Sequence, residues 1–228
     1  MKDLHGKAIL DYYKGDLEST LTLHNSYGEP EEMPVEVFFR EQEDFSDLEN
    51  HAISMCYGKI LDVGAGAGAH ALFMQALEID VAAIENSPGC ITTLEKSGMK
   101  QLFDEDYQTH QGKYDTLLLL MNGLGIAGKL DQVPQFLETC KGMLNEGGQI
   151  LVDSSDISYL YEDGLQKPEK YFGELSYQYE YKGEKGDWFD WVYVDQKTLT
   201  ETVNAHGLQI EILFTDDYDQ YLARIFGF

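Results

Sequence analysis

The sequence predicts an α/β protein, doubly wound around a seven-stranded, mostly parallel sheet, with an N-terminal helical lid segment and an inserted antiparallel aromatic hairpin. Three observations lead there. From residue 58 onward, apolar runs of four to six residues alternate with stretches of helical periodicity, the pattern of strand-helix-strand units in a parallel sheet. A glycine-rich turn joins the first such run to its helix. After residue 153 the composition becomes aromatic, with 11 aromatic residues between Tyr159 and Tyr193, both tryptophans among them.

The elements follow in order. Residues 1–57 are polar and acidic and read as a lid or cap, with short helices at Ala8–Tyr13 and Leu48–Met55. Residues 58–228 form the main domain. Ile60–Val63 is its first strand and Ala69–Leu77 the following helix. Val81–Ile84 is the second strand. Ser87-Pro88 then opens a helix, a capping side chain followed by proline at the position where a missing N–H costs nothing, and Gly98 stops it. Gln101–Phe103 is a weak third strand, and Thr116–Met121 the fourth, its unbroken leucines fitting burial on both faces. Asp131–Leu144 is a helix closed by Gly147-Gly148, and Gln149–Asp153 the fifth strand. In the hairpin insertion, at about 171–195, Leu175, Tyr177, Tyr179 and Tyr181 alternate with polar residues; Lys182–Asp187 turns and Trp188–Val194 returns. Thr198 to Glu201 has capping-box spacing and opens a last helix, ended by Gly207. Leu208–Phe214 and Tyr221–Phe226 close the chain antiparallel to each other.

Composition narrows the function. Sixteen basic against 41 acidic residues leave a formal charge of −25, with the basic ones scattered. Such a chain repels phosphate backbones, so nucleic acid is not expected as a partner. Cys56, Cys90 and Cys140 lie 34 and 50 residues apart and form no Cys-x-x-Cys pair, and the six histidines form no His-x-x-x-His pair. No leader peptide is expected, and the longest apolar run, Leu117–Met121, is too short to cross a bilayer. A cytoplasmic protein without a membrane anchor is the expectation.

The chemistry centres on Leu61-Asp62-Val63-Gly64-Ala65-Gly66-Ala67-Gly68-Ala69-His70, which follows a strand and opens a helix. Glycines there permit a sharp turn and let a ligand touch main chain, while helix N–H groups point at what is bound. Twenty-one residues after Gly64, Glu85 ends the second strand, where an acid accepts hydrogen bonds from ribose hydroxyls. Together they predict a nucleoside-containing cofactor. Gly64, Gly66 and Ala69 permit an NAD(P)-dependent oxidoreductase. Asp62 weighs against that reading, since its carboxylate enters the turn where a pyrophosphate would sit, and Gly68 comes too early for dinucleotide spacing.

These residues resemble the class I S-adenosylmethionine-dependent methyltransferases, over roughly residues 58–228. Leu61 to Gly68 is similar to the family's first motif and Ile84-Glu85 to its ribose acid; Tyr114-Asp115 and Gly147 to Ile150 match later landmarks. The resemblance implies a terminal strand inserted reversed beside the fifth. It implies that Asp62 holds the methionyl ammonium, directly or through water, and that Gly64, Ala65 and Gly66 pack against the methionyl portion and ribose, with Gly68 completing the cofactor-binding turn. Glu85, with Asn86 beside it, takes the ribose hydroxyls. Asp106, one of three successive acids, faces the adenine amino group with Tyr107 near the ring, and Met121, Asn122 and Gly123 line the transferred methyl. Arg40 reads as a partner for the cofactor carboxylate or for an acidic substrate, or as a surface ion pair. Tyr12 and Tyr13 read as cover for the cofactor or as core, the aromatic hairpin as a substrate wall or sheet packing, and His70 as facing away from the chemistry.

The fourth strand is not followed by Asn-Pro-Pro-Tyr or Asp-Pro-Pro-Tyr, so amide and nucleobase nitrogens are not favoured acceptors. Met121-Asn122 stands where metal-dependent relatives carry aspartate, so no metal site is expected. The implied reaction is methyl transfer to a small-molecule acceptor, with no residue singled out as catalytic base. A non-catalytic cofactor-binding protein of the same fold is the remaining alternative.

Overall fold

The structure is a computed structural model that describes residues 2–161 and 168–228. Its elements, in chain order, are α1 (Leu4–Tyr13), β1 (Thr20–Asn25), β2 (Glu31–Pro34), α2 (Asp47–Met55), β3 (Ile60–Val63), α3 (Ala69–Ala76), β4 (Val81–Glu85), α4 (Pro88–Lys96) and β5 (Leu102–Asp104). Then come β6 (Tyr114–Leu119), α5 (Val133–Met143), β7 (Leu144–Ser155), β8 (Glu174–Tyr181), β9 (Glu184–Lys185), β10 (Phe189–Val192), α6 (Gln196–Ala205), β11 (Gln209–Thr215) and β12 (Gln220–Phe226). The larger sheet has seven strands in the order β11-β12-β7-β6-β3-β4-β5; the smaller follows β10-β8-β1-β2, with β9 on β8. The larger sheet is mixed: β4 and β5 are parallel, as are β6 and β7, while β12 is antiparallel to both β7 and β11.

The chain divides into two compact units, each drawing on separated stretches. The first comprises Met1–Phe45, Leu61–His110 and Ser176–Phe189. Its core gathers Leu4, Ala8 and Ile9 of α1, Leu21 of β1, Val35, Ala67 of the glycine turn, Cys90 of α4 and Tyr181 of β8. Residues at i, i+4 and i+5 of α1 thus share one face, as a half-buried helix requires. Asp3 caps this helix by accepting from Gly6 N at 2.9 Å.

The N-terminal segment holds more than the expected helices. Thr20-Leu21-Thr22-Leu23 alternates with period two, Leu21 and Leu23 are buried, and Asn25 closes the turn by accepting from the N–H groups of Tyr27 and Gly28. The result is the β1–β2 pair, whose β1 also pairs antiparallel with β8, Leu23 opposite Tyr179. The aromatic strand is therefore an inner strand of a sheet built with the N-terminus, because its buried tyrosines need a partner layer that a lone two-stranded ribbon lacks.

The second unit comprises Ser46–Ile60, Gln111–Leu175 and Asp190–Phe228. Leu117, Leu118 and Leu119 of β6 and Ile150, Leu151 and Val152 of β7 are fully buried. Helix α2 is opened by a capping box of Ser46 and Glu49 and lies against β11 and β12, while α5 and α6 contact each other. Three boundaries differ from expectation. β6 stops at Leu119, because Met121 and Asn122 take left-handed backbone, and Gly147-Gly148 falls inside a long β7 instead of closing α5. Helix α6 begins earlier than Thr198, since the stronger cap is Asp195, which accepts from Thr198 N at 2.9 Å.

Candidate functional site

The glycine turn leaves a strand buried along its whole length and is fastened to the next one: Gly64 N and Ala65 N both donate to Ile84 O. Gly64, Gly66 and Gly68 have φ of +74°, +58° and +92°, left-handed backbone that glycine adopts at no steric cost. A Cβ on Gly66 would meet nothing within 4 Å, so the main chain there faces open space that a ligand can enter.

Asp62 lies under this turn, 3% exposed. Burial pushes its carboxyl up to about 6, against the opposing pull of His70 and a backbone N–H from Ala71, with Glu85 pushing the same way as burial. Its Oδ2 is buried with no hydrogen-bond partner among the described residues. A buried carboxylate oxygen left bare is unfavourable unless a donor arrives with a ligand. His70 does not face away from the chemistry: it is buried, close enough for its charge to act on Asp62, and its ring sits 5.1 Å from Phe45. The helical turn after Gly68 brings it back under the loop, which a linear reading of the motif misses.

Glu85 ends β4 with its carboxylate folded into the turn. Oε2 accepts from Gly66 N at 2.9 Å, and Oε1 from Asn86 N and Ser87 N at 2.8 and 2.9 Å. Three donors occupy a group with about four acceptor positions, which fixes the glycine turn and leaves room for a further hydroxyl. Asp62, Gly64, Ala65, Gly66, Gly68, Glu85 and Asn86 are thus brought together. Asp106 and Tyr107 follow β5 in the same unit. Asp106 is exposed and accepts from Gln108 N as cap of a short 3₁₀ turn; Tyr107 is buried, and beside it His110 contacts Glu105 at 2.7 Å. Arg40 donates from Nε to Val37 O, and its guanidinium lies 5.9 Å from the Phe45 ring centre, so Phe45 has Arg40 and His70 as neighbours. Tyr12 stacks on Phe39 against the core, whereas Tyr13 is 39% exposed.

Met121, Asn122 and Gly123 belong to the second unit, after β6. Met121 and Asn122 have φ of +65° and +58°, two consecutive left-handed residues neither of which is glycine. Such strain persists only where surroundings enforce it. Here β7 enforces it: Asp153 Oδ1 accepts from Gly123 N at 2.8 Å, and Ser155 Oγ donates to Asn122 Oδ1 at 2.7 Å. Asp153 is 1% exposed, takes a second bond from Gln220 on β12, and is pushed by burial up to about 6. Sequence reading missed Asp153, although a carboxylate directly after the apolar run Ile150-Leu151-Val152 repeats the pattern of Asp62 after Ile60-Leu61.

The bare Asp62 oxygen and the open main chain at Gly66 fit a cofactor bearing an ammonium group. No protein-family model and no curated protein matches the chain. Among solved structures, it is similar to a SAM-dependent methyltransferase from Bacteroides fragilis in complex with S-adenosyl-L-homocysteine: 37% identity over 98% of this chain and 94% of that one, TM-score 0.91. It shares only the fold with the CcbJ methyltransferase from Streptomyces caelestis, at 12% identity over 81% and 97% of the chains and TM-score 0.60. The same holds for the sugar N-methyltransferase KedS8 from Streptoalloteichus sp ATCC 53650, at 14% over 87% and 95% and TM-score 0.56. A dinucleotide oxidoreductase and a non-catalytic binding protein are therefore set aside: the chain belongs to the S-adenosylmethionine-dependent methyltransferases, with S-adenosylmethionine as its cofactor.

Proposed function

We propose that this methyltransferase acts on a small-molecule acceptor, with the residues of the glycine turn holding the cofactor. S-adenosylmethionine supplies a methyl group on a sulfonium sulfur whose thioether is a good leaving group. The chain's task is to orient the acceptor in line with that methyl and exclude water. In this reading Asp62 takes the ammonium through its bare oxygen. Glu85, with Asn86, takes ribose hydroxyls in its remaining acceptor capacity, and Gly64, Ala65 and Gly66 give the ligand access to main chain, while Gly68, whose missing Cβ leaves room for Leu94 and Leu72, lets the turn pack closely at the start of α3. Asp106 and Tyr107 serve the adenine, Met121, Asn122 and Gly123 the methyl end, and Arg40 the cofactor carboxylate. Residues 1–57 act as the cap, within which β1 and β2 extend the aromatic sheet.

The observation that carries the acceptor class is a row of rings in the first unit. Tyr179 has Phe189 at 5.1 Å, Phe189 has Tyr177 at 6.1 Å, and Tyr177 has Tyr27 at 6.3 Å between ring centres. Contiguous aromatic faces suit a planar or apolar ring, or a cationic amine, and the charge of −25 disfavours a polyanion. A likeness in fold to a sugar N-methyltransferase supports the same reading. Methyl transfer from labelled cofactor into fractionated cell extract tests it. Label is expected in the low-molecular-mass fraction; label confined to protein or RNA overturns the proposal.

A further inference from the structure

The N-terminal helix is joined to the ribose side of the site by an unusual contact. Asp3 caps two helices at once: besides Gly6 N of α1, its carboxylate accepts from Ser87 Oγ at 2.8 Å and Gly89 N at 2.9 Å at the start of α4. Gly6 and Gly89 meet there backbone to backbone, and a Cβ on Gly89 would run into the main chain of Gly6. This contact delivers His5 to the strand end where Glu85 sits. The imidazole is stacked on Tyr179 at 5.3 Å and meets the edge of Phe38 at 4.8 Å between ring centres. Its Nδ1 lies 3.8 Å from Cys90 Sγ, and Nε2 has no hydrogen-bond partner among the described residues. His5 is half-buried; burial holds its imidazole below the usual value, against the raising pull of the Glu85 and Asp3 carboxylates. A held ring, a spare polar atom, partial exposure and the ribose acid as neighbour are what a ligand-binding histidine shows.

We propose that α1 is a working part of the cofactor site: His5 makes a polar contact to the ribose edge of the bound cofactor, and Asp3 is the positioning residue that holds it there. The proposal rests on the reading of Glu85 as the ribose acid. Its test is calorimetric titration with S-adenosylhomocysteine of wild type, His5→Ala, His5→Gln, Asp3→Ala and Glu85→Ala, with the melting point of each ligand-free variant measured alongside. His5→Ala is expected to weaken binding about tenfold, the usual effect of removing one hydrogen bond in a buried site. His5→Gln, which keeps a polar terminus, recovers part of the loss, and Asp3→Ala reproduces it. The His5→Ala defect persists with 5′-methylthioadenosine, which retains the ribose but lacks the amino-acid end. His5→Ala affinity within twofold of wild type, or a defect that tracks only a lowered ligand-free melting point, overturns the proposal. A weakened His5→Ala beside an unchanged Glu85→Ala leaves His5 as a cofactor contact and removes Glu85 from the ribose.

Discussion

Asp62 carries a carboxyl pushed up to about 6 by burial and a bare oxygen in the same group. An ammonium ligand needs that group ionised, so below about pH 6 binding must first expel a proton. The affinity for S-adenosylhomocysteine is expected to fall as pH drops from 7 to 5, approaching one logarithmic unit per pH unit, and Asp62→Asn is expected to bind weakly with a flat profile; titration calorimetry across that range checks both. Glu85→Ala removes the acceptor of three N–H bonds and is expected to weaken cofactor binding by about 1–3 kcal/mol. Both acids were legible in the sequence, because each directly follows an apolar run at a fixed offset from the glycines. Asp3 and His5 were not. Their partners lie far along the chain, Ser87 being 84 residues from Asp3, and no local pattern announces such a contact.

At the level of elements, the turn after β6 and the α1–α4 crossing make the sharpest claims. Asn122 sits in left-handed backbone, which asparagine and glycine tolerate and β-branched residues do not. Asn122→Gly is expected to stay within about 1 kcal/mol of wild-type stability, and Asn122→Val to lose about 2 kcal/mol, by chemical denaturation. Gly89→Ala puts a methyl group into the Gly6 backbone and is expected to destabilise by about 1–3 kcal/mol, read in the same way. The alternation of apolar runs and helical periodicity between 58 and 153 made most of the larger sheet's strands and helices readable. The β1–β2 pair was readable in principle from Thr20–Leu23 and the turn at Tyr27–Pro30, but the polar composition around it masked the period. The partnership of β1 with β8 joins residues about 150 apart and exists only once the chain has folded.

For the whole molecule, charge and buried acids set the response to solvent. A formal charge of −25 means self-repulsion, so the melting point is expected to rise as sodium chloride goes from about 0.02 M to 0.3 M, where the screening length falls below about 10 Å. Asp62 and Asp153 both have folded-state values above those of the unfolded chain, so the native state binds more protons between about pH 4 and 6 and stability falls as pH rises through that window. Asp11, Asp115 and Asp195 are shifted the other way, and their contribution is lost in acid instead. The proposed contact of Asp62 with the ammonium should also leave a trace in the heat of cofactor uptake. Near pH 6 each molecule taken up is then expected to hand part of a proton to the surrounding buffer. The apparent enthalpy should therefore be more exothermic in imidazole than in phosphate, and the gap should close at pH 8, where the carboxylate has no proton left to give.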